Sequence, residues 1–136
     1  MNDTDETCDT SILVPALLPW HEHHASARAV ARSVQGIPAH VLFETYSVLT
    51  RLPAPHRLAP VSAGELIARL PGTILTLPAD RYAATLRELA DAGIRGGASY
   101  DGLIAATALV HHRRLVTLDR RALPTYDAVG ATVRAL

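Results

Sequence analysis

The sequence predicts a three-layer α/β/α domain with a central, mainly parallel sheet. Short apolar runs alternate with helix-length amphipathic segments along the chain, the pattern of repeated strand–helix–strand units. At 136 residues the chain suits one domain with one core. Its composition is 49% hydrophobic but only 4% aromatic, so that core must be built mostly from Leu, Val, Ile and Ala.

Each element has its own signal. Residues 1–6 are polar and acidic and read as a tail. Residues 11–18 (SILVPALL) read as a short helix with Pro15 in its first turn, where a missing N–H costs least. Residues 21–35 read as helical, with Ala27, Val30, Ala31 and Val34 on one face. Gly36 stops that helix, and residues 37–40 form a short strand. Residues 41–52 are helical again. Val41, Leu42, Thr45, Val48, Leu49 and Leu52 make the core stripe, while Glu44, Ser47 and Arg51 share another side.

Pro53, Pro55 and Pro60 mark a loop, and Ser62 caps a short helix through Leu70. Residues 73–77 (TILTL) read as a strand. Asp80 caps a helix to Ala92, with Tyr82, Leu86, Leu89 and Ala90 as its core face and Gly93 as its stop. Ser99 caps the helix from Tyr100 to His112, residues 115–118 form a strand, and residues 131–133 form a further one. Ligands of such a parallel sheet collect at the carboxyl ends of its strands.

Composition excludes several functions. Net charge is zero, so no global basic field announces a nucleic-acid partner, although all 13 basic residues are arginines suited to phosphate wherever a few cluster. Cys8 is the single cysteine, which rules out an internal disulfide and argues against a cysteine zinc site. The acidic start is the opposite of a signal peptide, and no apolar run reaches membrane-spanning length. A cytoplasmic protein without a membrane partner is the expectation.

Four acids carry the candidate chemistry. Asp9 and Asp119 sit just past strands, whereas Glu44 and Asp101 sit near helix N-termini, where backbone N–H groups favour negative charge. A right-handed, doubly wound topology would bring all four to one edge of the sheet. Converging carboxylates repel unless a hard cation joins them. Mg²⁺ or Mn²⁺ fits such oxygen donors, and can activate water and stabilise in-line displacement at a phosphodiester. Taken singly, the same residues also read as a solvated helix position (Glu44), a helix N-terminal charge (Asp101) and a turn residue (Asp119).

The pieces CDTSILVPAL, HVLFETYSVLTRLP, YDGLIAATALVHH and LVTLDRRAL span nearly the whole chain. Together they closely resemble the PIN-domain ribonucleases, in particular the VapC-type toxins of bacterial toxin–antitoxin pairs. The resemblance implies a single PIN-like domain over residues 1–136 and a metal-dependent endoribonuclease acting on single-stranded or loop RNA. It implies Asp9, Glu44, Asp101 and Asp119 as the catalytic and metal-binding quartet, with Asp9, Asp101 and Asp119 the principal ligands. Ser11 would be a supporting hydroxyl and Thr117 would stand behind the acids. A homodimer and an inhibiting VapB-type antitoxin across the groove are also implied. One departure stands out: Asp5, Glu6 and Thr7 precede Cys8 where the family usually has an apolar strand, so the first strand must be very short or poorly apolar.

Lesser signals were weighed beside these. Arg120 and Arg121, just after Asp119, are candidate RNA contacts, since phosphate contacts position a strand without reading it. His21, Glu22, His23 and His24 miss the H-E-x-x-H zinc spacing because position 25 is Ala25, and read as a solvated helix start with RNA or partner contact the lesser alternative. Asp3 to Thr7 matches a D-x-D-x-T phosphatase motif, but no buried strand precedes it. Gly93 to Gly97 lacks dinucleotide-loop spacing. Trp20 and Tyr100 read as core or interface residues, with base stacking as the alternative. The rival function is a non-catalytic PIN-like module that binds RNA or a partner, and a phosphatase is the weaker third.

Overall fold

A computed structural model describes residues 5–136. Among the described residues, five short parallel strands are interspersed with seven α-helices. The strands are β1 (Glu6–Cys8), β2 (Gly36–Pro38), β3 (Thr73–Leu75), β4 (Arg114–Thr117) and β5 (Val133–Ala135). The helices are α1 (Thr10–Ala16), α2 (His24–Ser33), α3 (Ala39–Arg51), α4 (Pro60–Ala68), α5 (Tyr82–Asp91), α6 (Ala98–Val110) and α7 (Leu123–Val129).

β4 lies between β1 and β5, with Cys8 opposite Val116 and Leu115 opposite Val133. β2 pairs with β3, and the Thr7 hydroxyl donates to the Gly36 carbonyl (2.7 Å), tying β1 to β2. The spatial order is therefore β3-β2-β1-β4-β5, with the direction of winding reversing between β1 and β4. That reversal is where an open parallel sheet forms its ligand crevice. α1 and α2 pack on each other in one helical layer, and α5, α6 and α7 pack together in another. The main core joins Ile12, Leu13, Val41, Ile104, Leu115, Val116 and Tyr126.

The polar first strand has a physical explanation. Glu6 faces two arginines across the sheet: Arg134 of β5 donates to it through two nitrogens (2.7 and 2.8 Å), and Arg114 of β4 through Nε (2.9 Å). These bonds, Arg134 first, hold its carboxyl below the usual carboxylate range against the cost of burial. β1 thus gains from charge pairing at its start and from the buried Thr7 and Cys8 at its end. Because the folded value is depressed, this stabilisation is present above the unfolded value of about 4.3 and is lost as pH falls through the folded one. Glu6→Gln is expected to cost about 1 kcal/mol at neutral pH. Urea midpoints of the two proteins should converge as pH falls through the folded value.

Several boundaries differ from the sequence expectation. Glu6 belongs to β1, so the tail expected over residues 1–6 ends sooner, and its residues 1–4 lie outside the described chain, as does Asp3 of the D-x-D-x-T match. α1 begins at Thr10 because the Asp9 side chain caps it. Pro15 consequently falls in the second turn, just before the helix ends. α2 starts only at His24, and β2 ends at Pro38 because Ala39 and His40 already belong to α3. Pro60, not Ser62, opens α4, its fixed φ suiting a first helical position. A 3₁₀ turn (Ala79–Arg81) replaces the Asp80 cap of α5, and Ser99 lies inside α6. On α5, Thr85 and Leu89 are buried, while Tyr82 (46%) and Leu86 (61%) stay exposed. Gly72 turns the chain into β3 with φ of 96°, where a Cβ would lie 2.5 Å from the Gln35 carbonyl oxygen, so this turn needs glycine.

Candidate active site

β1 and β4 run side by side and leave the sheet at the same edge, which places Asp9 beside Thr117: the Asp9 N–H donates to the Val116 carbonyl (3.3 Å). α3 departs from the carboxyl end of β2, and α6 must begin at that edge to return the chain to the start of β4. Glu44 and the first-turn Asp101 are carried there accordingly. A cleft of about 450 Å³ opens at this point. Asp9, Glu44, Asp101 and Asp119 all line it, with Thr10, Ser11, His21, Arg51, Arg121 and Tyr126. The convergence expected from topology is present.

The four acids are not equivalent. Asp9 is 3% exposed and fully engaged. Its Oδ1 accepts from the Ser11 N–H (3.0 Å) and hydroxyl (2.5 Å), and its Oδ2 from the hydroxyls of Thr117 (2.5 Å) and Tyr126 (2.6 Å). Burial pushes its pKa up, opposed by these bonds. Ser11 Oγ also accepts the Leu118 N–H (2.8 Å), and Thr117 Oγ1 accepts the Asp119 N–H (2.9 Å). Two hydroxyls therefore lock the exits of β1 and β4 together and fix where Asp119 begins. Ser11 therefore braces Asp9, and the Thr117 hydroxyl bonds both Asp9 and the backbone of Asp119.

Asp101 is the opposite case. Among the described residues no hydrogen bond reaches its carboxylate. It sits half-buried, and its pKa rises to about 6, first from desolvation and then from the charges of Glu44, Asp119 and Asp9. Glu44 accepts from the Thr10 hydroxyl (3.2 Å) and lies 3.6 Å from His40 Nε2. Asp119 Oδ1 accepts from the Arg121 N–H (3.0 Å), with Arg121 Nε at 3.8 Å. Arg120 and Arg121 are both exposed, and of the two Arg121 lines the cleft.

Among the described residues, no three His, Cys, Asp or Glu side chains close into a ready-made metal cage. The reason is visible in the pairings: Asp9 is turned inward by four hydrogen bonds, and the remaining acids repel one another across the cleft. Mg²⁺ does not require a cage. It keeps several waters and binds through one or two carboxylates plus substrate phosphate. An uncompensated carboxylate among three others fits that ion by donor chemistry and by charge.

Three site residues escaped the sequence reading. Tyr126 is 1% exposed and reaches Asp9 from α7, a helix of seven residues that the sequence pattern did not signal. Burial, then the neighbouring acids with Asp9 foremost, push its phenol well up, so it stays a hydrogen-bond donor. Thr10 and His40 flank Glu44, and only the i, i+4 spacing from His40 to Glu44 could have pointed to the latter. Cys8 is buried and its thiol is pushed far up by burial, which makes it a packing residue. Of His21 to His24, only His21 lines the cleft.

Known proteins share this arrangement of elements. A model of the PIN domain matches residues 7–128. The chain is 44% identical over 127 residues to Ribonuclease VapC40 of Mycobacterium tuberculosis, covering 92% of this chain and 94% of that protein. It is 41% identical over 126 residues to Ribonuclease VapC27 of the same species, covering 92% of each. In fold it is similar to a chain of VapBC2 from Rickettsia felis bound to a DNA fragment from their promoter (TM-score 0.68, 18% identity, 98% and 99% coverage). It is similar also to a chain of DNA-bound VapBC from Salmonella typhimurium (TM-score 0.67, 23% identity, 97% and 98% coverage). The matched span includes Thr7 and Cys8 of β1, all of β4 and every one of the four acids, and with it this chain belongs to the PIN-domain family.

Proposed function

We propose that this protein is a divalent-metal-dependent endoribonuclease of the toxin–antitoxin type, cleaving single-stranded or loop RNA by phosphodiester hydrolysis. The observation that carries the proposal is Asp101: a half-buried carboxylate, unpartnered among the described residues and surrounded by three more acids in one open cleft. Relatives above 40% identity named as ribonucleases support the substrate class.

Asp9, Asp101 and Asp119 would be the principal ligands of the cation, and Glu44 would be a further ligand or would orient the water. Mg²⁺ or Mn²⁺, when bound, would neutralise the acids, acidify a water and take up charge developing on the phosphate. The chain's own residues do the rest. Above about pH 6 Asp101 is ionised and ready for a cation. Arg121 and Arg51, which both line the cleft, would hold the phosphate backbone. Ser11 commits its proton to Asp9, Tyr126 stays protonated and Cys8 is buried. None of these three groups is free to attack, which favours water as the nucleophile.

The partners follow from what the fold leaves uncovered. Phe43 and Tyr46 on α3, and Tyr82 and Leu86 on α5, are large, exposed and spaced three or four residues apart on their helices. They offer surfaces for a homodimer and for a VapB-type antitoxin that would close the cleft; the fold relatives from Rickettsia felis and Salmonella typhimurium were themselves solved as DNA-bound VapBC. No described helix is long and apolar enough to cross a membrane, which suits action on RNA in the cytoplasm.

Cleavage of an unstructured RNA pool across a Mg²⁺ and Mn²⁺ titration tests the reading. Products that appear with metal and vanish with chelator are expected. Retention of RNA without products at every metal concentration would instead establish a binding module.

A further inference from the structure

The cleft does not end at the acids. His21, on its wall, is followed outward by a run of rings that the acid chemistry does not use. Trp20 is 52% exposed although it is the one tryptophan of the chain. Its indole stacks on His56 with centroids 4.2 Å apart and planes 30° off parallel, while His21 lies 5.8 Å from it. The two stacked rings come from different segments, the α1–α2 connection and the α3–α4 loop. Both are held by backbone bonds, His21 N–H to Leu18 O (2.9 Å) and His56 N–H to Pro53 O (3.0 Å). His21 is fixed as well, because its Nδ1 accepts the His23 N–H (3.1 Å).

A half-exposed indole held against an imidazole is a flat, rigid surface that orders nothing further when another ring lands on it. His21, next to Trp20, lines the same cleft as the acids, together with Arg51 and Arg121. Rings beside the cleft, with arginines and acids lining it, are the features that a single strand needs: a base to stack, a phosphate to hold and a bond to cut.

The geometry points to a nucleobase shelf: Trp20 and His56, continued into the cleft by His21, stack an unpaired base of an RNA strand whose adjoining backbone lies against Arg51 and Arg121. This rests on the ribonuclease reading and deepens it. A base within a duplex cannot reach the shelf, so the enzyme selects unpaired RNA. Because every base has a face to stack, the shelf grips the strand with little preference of sequence.

Trp20 is its own reporter, since no other indole contributes to the fluorescence. Full-length Asp101→Asn protein is titrated with a short unstructured RNA oligomer, with the same oligomer annealed to its complement, and with an abasic oligomer of equal length. Quenching by the single strand alone is expected. By anisotropy of a labelled oligomer, Trp20→Ala and His56→Ala should each weaken binding about tenfold, with Trp20→Phe retaining most of the affinity. Unmoved fluorescence, or full affinity in Trp20→Ala, would overturn the shelf. So would a Trp20→Ala protein that loses thermal stability yet binds RNA unchanged, since the rings would then only cover the small core of Leu18, Leu49 and Ala63. Wild-type cleavage of the same oligomer is followed in parallel. Cleavage without quenching removes the shelf and leaves the ribonuclease, whereas quenching without cleavage keeps the shelf and removes the ribonuclease.

Discussion

Asp101→Asn is expected to lower metal-dependent RNA cleavage about a thousandfold, on the order of 4 kcal/mol of transition-state stabilisation, while making the metal-free protein more stable. The two effects have one cause. Asp101 has its pKa raised to about 6 by desolvation and by Glu44, Asp119 and Asp9. Between the unfolded value near 3.9 and about 6, the native state holds more protons than the unfolded one, so stability falls as pH rises through that window and stays lower above it. Replacing the acid with its neutral isostere removes the loss. After discounting for the solvent around this half-buried group, the gain at neutral pH is on the order of 1 kcal/mol, or roughly 4 °C in Tm. Thermal melts in chelator at about pH 5 and pH 8 check it: the gap between variant and wild type should open at the higher pH. A variant less stable at both would mean that Asp101 has a structural partner.

Asp9→Ala should also abolish cleavage, but with the opposite effect on stability, costing about 3 kcal/mol. Removing this carboxylate strips α1 of its cap, worth about 1 kcal/mol, and leaves the hydroxyls of Ser11, Thr117 and Tyr126 without their common acceptor. Buried donors left unpaired cost about 1–3 kcal/mol each, partly offset here because burying Asp9 was itself unfavourable. Urea denaturation in chelator measures the loss directly. A stability change below about 1 kcal/mol would show that the hydroxyls re-pair without Asp9. The contrast between the two variants separates an acid that holds the fold together from one that the fold strains to hold.

Much of this was legible in the sequence, and for identifiable reasons. Parallel strand–helix alternation predicts the sheet, and the edge at which a doubly wound chain delivers its loops allows Asp9, Glu44, Asp101 and Asp119 to meet, while their grouping as one quartet follows from the resemblance to the PIN-domain family. What was illegible depends on contacts rather than period. The seven residues of α7 are too few to establish a stripe, so Tyr126 could not be placed against Asp9. The α5 stripe shows that Tyr82 and Leu86 share a face but not whether anything covers it, and within this chain both remain exposed. Glu6 looked like a flaw in an apolar strand because its arginines lie over a hundred residues away, on β4 and β5. The separate roles of four chemically similar acids likewise come from partners that spacing cannot reveal.

The most direct test of the central claim, that these acids form a cation site rather than a set of solvated charges, is the thermal shift on adding Mn²⁺ to wild type and to Asp101→Asn. A ligand that binds only the native state stabilises it by about 2.7 kcal/mol at a hundred times its Kd. The wild type should therefore melt progressively higher with Mn²⁺ while Asp101→Asn stays nearly unmoved. No shift in the wild type, or equal shifts in both proteins, would contradict the account.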